Sequence, residues 1–199
     1  MSRTMVAFVA SLGRQSEKRV AIEASVLRAT EELLEEGASF AELGIERIAT
    51  RAGISRTAFY FYFRDKRELL VRLTEEVNAE LVAAASTWWS GSSDLRSALR
   101  EIASLYREHG ALLRAVVEVS TYDEEVARFW RALVGRFAEP TRERIEADGG
   151  NPALAGATAF ALVWMVERSF YQQLVQREPV EMDELVDAMA TIFEKTVSA

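Results

Sequence analysis

Apolar residues recur at three- and four-residue spacing along nearly the whole chain, and no run of alternating β-branched residues interrupts them. That period selects an all-α fold. The spacing predicts a first helix from about Ser16 to Glu36, with Val20, Ala24, Leu27, Ala29, Leu33 and Leu34 on or near one face. Gly37 can end it in a left-handed conformation. Two short helices follow, Ile45 to Ala52 and Ser55 to Tyr62. A long fourth helix starts at Asp65, where Asp65-Lys-Arg-Glu68 has the spacing of a capping box. Ser90-Gly-Ser-Ser93 is a loop by composition. Further helices are expected over Asp94–His109, Ala111–Val119, Asp123–Ala147, Pro152–Gln176 and Met182–Val197, about nine in all. Thr121-x-x-Glu124 reads as a second capping box, and Asn151-Pro152 as a cap before a proline at the first helical position.

Composition narrows the function classes. Apolar residues make up 49% of the 199 residues and only three are proline, so a packed core is expected rather than disorder. With no cysteine there is no disulfide framework, thiolate nucleophile or Cys-based zinc site, and the single His109 excludes a His-rich metal site. No cofactor is expected. Arg and Glu interrupt every apolar stretch before the roughly 18 residues of a membrane helix, so a soluble, cytoplasmic protein with no membrane partner is expected. Met1 to Leu12 faintly imitates a signal peptide, but its apolar run is short and no cleavage site follows. Residues 1–14 read instead as a flexible arm.

The net charge of −7 is segregated. From Arg47 to Arg72 there are seven basic and two acidic residues, a net +5. From Thr74 to the end there are 12 basic and 21 acidic, a net −9. A short basic island on an acidic chain is the footprint of local phosphate contact.

That island contains the most informative stretch, Ile45 to Lys66. Ile45, Ile48, Ala49 and Ala52 form a stripe for the core, while Arg47 and Arg51 project together from another face and are expected to contact DNA. Gly53 supplies a tight turn and Ser55 can cap the next helix. There Ala58, Phe59 and Tyr62 lie on one side, and Arg56, Thr57 and Tyr60 on another, a short polar surface suited to a DNA groove. Phe59 and Phe63 are expected in the core. Arg64 and Arg67 are as readily solvated as functional.

The Ile-Ala-x-x-Ala-Gly-Ile-Ser core, the Phe59-to-Phe63 aromatic run, Lys66 and Leu69 together resemble the helix-turn-helix of the TetR family. The resemblance implies two-fold dimers, usually repressors, with the last two helices as the interface. It divides the chain into a DNA-binding domain at 15–63 and a ligand-binding and dimerisation domain at 64–199. By position it carries DNA contact to Ser55, Arg56, Thr57, Tyr60, Tyr62 and Lys66. The tyrosine hydroxyls and Lys66 would meet phosphates, and Arg56 and Thr57 would read bases. The final helix adds Leu185, Ala188, Met189 and Ile192 at i, i+3, i+4 and i+7, a stripe for the dimer partner.

The second domain holds all four tryptophans. Trp130, Val134 and Phe137 share one face of a helix; Trp164, Glu167 and Tyr171 share a face of another. Such stripes either fill a core or line a ligand tunnel between helices. Glu124-Glu-Val-Ala-Arg-Phe-Trp130 and Leu162-Val-Trp-Met-Val-Glu-Arg-Ser-Phe170 resemble the branch of the family that includes the mycobacterial repressor of ethionamide activation. That resemblance implies a small apolar effector at Trp130, Val134, Phe137, Val163, Val166 and Tyr171, with Leu95 and Ile102 on the opposite wall. Val163 and Val166 stand where that repressor has two asparagines, which implies a ligand that is less polar or anchored elsewhere. Glu167 and Arg168 read as a structural pair or a pocket-rim charge, with a ligand anchor as the alternative, and His109 as a helix cap.

An enzyme is not expected, because no nucleophile with a base, metal cluster or phosphate-binding glycine loop is present. The remaining alternative is a helical ligand-binding protein whose helix-turn-helix serves as an adaptor.

Overall fold

The computed structural model describes the backbone of residues 3–197 and the side chains of residues 17–196. The described residues form helices and turns with no strand, in two compact units, Met1–Leu70 and Val71–Ala199.

In the first unit α1 spans Arg3–Glu35, α2 Ile45–Arg51 and α3 Arg56–Phe59. α1 takes in most of the segment read as an arm, 1–14, whose side chains lie outside the described residues. Its buried face is Val26, Ala29, Thr30, Leu33 and Leu34; Val20 and Ala24, expected on that face, are exposed. Thr30 is tolerated there because its hydroxyl donates to the Val26 carbonyl at 2.9 Å. Gly37, at φ +92°, closes the helix: its N–H bonds Leu34 O and the Ala38 N–H bonds Leu33 O, a Schellman pattern that only glycine adopts at low cost.

In the second unit α4 (Lys66–Trp89, beginning within the first unit), α5 (Leu95–Glu108), α6 (Gly110–Ser120), α7 (Glu124–Gly135), α8 (Ala138–Ala147), α9 (Ala155–Phe170) and α10 (Met182–Val197) follow one another. α9 continues into a π-helical turn, Tyr171–Val175. α9 packs on α7 and α8, and α10 on α5 and α9. Arg96 bridges α5 to α10 through Asp187 and Glu194, and Arg100 through Asp183.

In the second unit the connections around α7, α8 and α9 differ from expectation. The predicted helix 123–147 breaks after Gly135, because Pro140 has no N–H for the carbonyl of Arg136 and its ring would strike that carbonyl. The capping box proposed at Thr121 is not formed: Thr121 donates to Glu118 O, and Asp123 caps α7 by accepting from the N–H groups of Glu125 and Val126. α9 starts at Ala155, not Pro152, after a turn in which Asn151 Oδ1 accepts from Ala153 N. At α4 Asp65 caps the helix by accepting from Glu68 N, and Glu68 reaches back to accept from Arg64 N, one residue before the cap.

α10 corrects the expected dimer stripe. Val186, Met189, Ala190 and Phe193 are buried within the protomer, Phe193 meeting Trp88 edge-to-face at 4.8 Å. Ala188 and Ile192 face outward and Leu185 is half-buried, so Met189 belongs to the interior of its own unit.

Candidate nucleic-acid interface and ligand cavity

The short α3 is held by its apolar side. Phe59 and Phe63 are completely buried, with ring centroids 5.4 Å apart. The turn into the helix is made by Gly53, at φ +73°, whose N–H bonds Thr50 O while the Ile54 N–H bonds Ala49 O. Ser55 caps α3, its Oγ accepting from Ala58 N at 3.1 Å. After Phe59 the α-helix gives way to tighter turns, with Phe61 N on Ala58 O and Tyr62 N on Phe59 O.

This mounting leaves Ser55, Arg56 and Thr57 exposed, with Tyr60 and Phe61 beside them at 48% and 73% exposure. Arg56 carries no ion pair among the described residues, so its guanidinium is available. Tyr62 is half-buried with the Arg19 guanidinium 5.7 Å from its ring. Arg51 is engaged: it forms a fork on Glu36, both bonds 2.9 Å, and reaches Glu32 at 3.3 Å. These bonds hold the Glu36 carboxyl below its ordinary range and tie α2 to α1. Arg47 stands 4.0 Å from the same carboxylate and is mostly exposed.

Lys66 is turned to the protein's own backbone. Its Nζ donates to the carbonyls of Phe40 and Ala41 at 2.9 and 2.7 Å, lies 3.5 Å from that of Leu43, and sits 5.2 Å from the Phe40 ring centroid. Burial lowers the ammonium's pKa. The side chain thus fixes the segment leading into α2. Lys66→Met is expected to destabilise the protein by about 1.5–3 kcal/mol, the range for hydrogen bonds to a charged group. A thermal melt checks this; an unchanged Tm would show that these bonds contribute nothing.

In the second unit a cavity of about 100 Å³ opens between the helices, several times the roughly 10–15 Å³ a single water requires. Seven of the eight expected lining residues are on its wall: Leu95 and Ile102 from α5, Trp130 and Val134 from α7, Phe137, and Val163 and Val166 from α9. Tyr171 is not. It is buried in the π-helical turn, where its oxygen accepts from Gln176 Nε2 and Arg168 lies 5.1 Å from its ring. Sequence reasoning missed the α4 wall, including Val77, Leu81 and Trp88, and the α10 contribution of Met189 and Phe193.

Few polar groups reach the cavity. Trp89 Nε1 donates to Thr141 Oγ1 at 3.1 Å, satisfying both on the wall. Glu167 is the exception: it lines the cavity, is 4% exposed, and neither carboxylate oxygen has a hydrogen-bond partner among the described residues. Burial pushes its carboxyl up, and Arg168 opposes this only partly. The Tyr106 phenol, also on the wall, is pushed well up by burial and by the carboxylate. His109, read as a cap, joins α5 to α6 with its ring 3.5 Å from Glu80. No metal-binding cluster is found, and no helix is long and apolar enough to cross a membrane, among the described residues.

A polar helix face mounted on an aromatic core, and a separate apolar cavity among helices, define a helix-turn-helix regulator with a ligand-sized interior. Known proteins agree. Residues 26–73 match the model of bacterial regulatory proteins of the tetR family, and residues 95–199 that of the transcriptional regulator EthR, C-terminal domain. The HTH-type transcriptional regulator EthR of Mycolicibacterium smegmatis is 30% identical over 185 residues, covering 85% of this chain and 82% of that one. EthR of Mycobacterium tuberculosis strain H37Rv is 28% identical over 168 residues, covering 79% and 77%. Among solved structures, a transcriptional regulator from Aquifex aeolicus VF5 has a TM-score of 0.68 at 16% identity, covering 87% of this chain and 98% of that one. A TetR-like regulator from Rhodococcus sp. RHA1 has 0.67 at 20%, covering 89% and 96%. The chain belongs to the TetR family of transcriptional regulators, with a C-terminal domain of the EthR type. Membership in a family of DNA-binding regulators disfavours the adaptor reading.

Proposed function

We propose that the protein is a homodimeric repressor that binds a palindromic operator and is released from it by a small apolar effector. The observation that carries this reading is the exposed face of Arg56, Thr57 and Tyr60, held outward by the buried Phe59 and Phe63. Arg56 and Thr57 read base edges, while Ser55, Tyr60, Tyr62 and Arg47 meet phosphates. Arg51 and Lys66 act by positioning α2, given their intramolecular partners. Two copies of α3 then occupy successive major grooves, roughly 34–36 Å apart. The dimer forms through the outward faces of α9 and α10, where Leu154, Phe160 and Ile192 are exposed and Trp164 lies against Phe160. Operator binding places this work in the cytoplasm.

Selection of bound sequences from random DNA tests the reading. It should return an inverted repeat whose affinity falls with salt, by a slope of roughly −0.9 per phosphate neutralised. Arg56→Ala and Thr57→Ala should each relax base preference at particular positions at a cost of about 1–3 kcal/mol. Binding indifferent to sequence and to both substitutions would refute it.

A further inference from the structure

We infer that the ligand taken by this cavity carries a basic amine on an apolar body, the amine held by the Glu167 carboxylate. The inference rests on the reading of the cavity as a ligand site and names the chemistry that site selects. Glu167 is buried in the wall with neither oxygen hydrogen-bonded, an arrangement that costs free energy unless something completes it. Arg168 does not complete it. Its Nε stands 3.5 Å from Oε2, beyond the roughly 2.7–2.9 Å of a charge-assisted bond, and its side chain is 49% exposed. Adjacent helical residues point about 100° apart, so Arg168 leans outward while Glu167 faces in. The other titratable group on the wall, Tyr106, is an acid and supplies no cation.

Most of the cavity wall is apolar, with Val163 and Val166 on α9, Trp130 and Val134 on α7 and Leu99 and Ile102 on α5, while Thr74, Asn78 and Thr141 add neutral polar groups and no cation. Such a wall takes a hydrocarbon body. A ligand ammonium would pair with the buried charge; an alcohol would donate one hydrogen bond and leave the charge uncompensated; a carboxylate would be repelled.

Octylamine, octanol and octanoate distinguish these cases, titrated against the full chain and against Glu167→Gln by calorimetry. The fluorescence of Trp88, Trp89 and Trp130 on the wall gives a second readout. The wild type should bind octylamine at least about tenfold more tightly than octanol, and octanoate most weakly. Glu167→Gln should lose the preference for amine, octylamine then binding no more tightly than octanol. Equal binding of amine and alcohol by the wild type, or a preference that survives Glu167→Gln, would overturn the amine assignment and leave the cavity reading intact. Binding of none of the three would remove the cavity reading and the anchor with it. Should Glu167→Gln fail to fold, the ratio of amine to alcohol affinity on the wild type decides alone.

Discussion

Phe160→Glu and Ile192→Glu are each expected to turn the dimer into folded monomers and to lower operator affinity by about 10²- to 10⁴-fold. Phe160 is 62% exposed and Ile192 48% exposed, so neither supports the interior of its own protomer. In the proposed dimer each would be covered, and a carboxylate there would be buried without a partner, at a cost of about 3–5 kcal/mol by analogy with broken buried ion pairs. The loss of DNA affinity follows from effective concentration: the second half-site engages intramolecularly only while the two copies of α3 are linked, and that linkage is worth roughly the stated factor. Sedimentation and operator titration on the same samples check both parts. Variants that remain dimeric would move the interface away from α9 and α10. Met189→Glu is not an equivalent test, because Met189 lines the cavity and its substitution would disrupt the protomer itself.

The case of α10 shows where sequence and structure part. The helix carries two apolar stripes, Leu185/Ala188/Ile192 and Val186/Met189/Ala190/Phe193, and periodicity reveals that both exist without saying which one the protomer buries. That choice is made by α5 and α9, elements distant in sequence. The helical class, the Gly53 turn, the Ser55 cap and the buried Phe59 and Phe63 were legible because each rests on local chemistry. The break before α8 was legible too, in Pro140, but the apolar stripe running through Val134 and Phe137 masked it. The α7 wall of the cavity showed as the Trp130/Val134/Phe137 stripe; on α9 the Trp164/Glu167/Tyr171 stripe puts only Glu167 on the wall, and Val163 and Val166 followed from the family resemblance. The α4 wall did not show, since Val77, Leu81 and Trp88 form a stripe that suits a plain core equally well. Glu167 read as half of a pair because Arg168 follows it, and the two do stand 3.5 Å apart as a loose ion pair; what the sequence could not show is the burial of Glu167, which the surrounding helices set. Tyr171 left the predicted wall because the π-helical turn begins there and changes the register on which an i, i+4 expectation depends.

A ligand in the cavity is expected to lower operator affinity by about 5- to 150-fold, the range given by a coupling of about 1–3 kcal/mol. To do so it must prefer a conformation in which the two copies of α3 no longer match the groove spacing. The linkage is reciprocal, so operator DNA must weaken the ligand by the same factor. Val166→Trp, which fills the cavity from α9, should block the ligand or reproduce its effect on operator binding. The most direct measurement is a pair of titrations with one probe, octylamine, and the operator recovered by selection: operator affinity with and without saturating amine, then amine affinity with and without saturating operator. Both affinities should fall by one common factor within that range. Affinities unchanged in both titrations, with the amine bound in the cavity, would contradict that coupling.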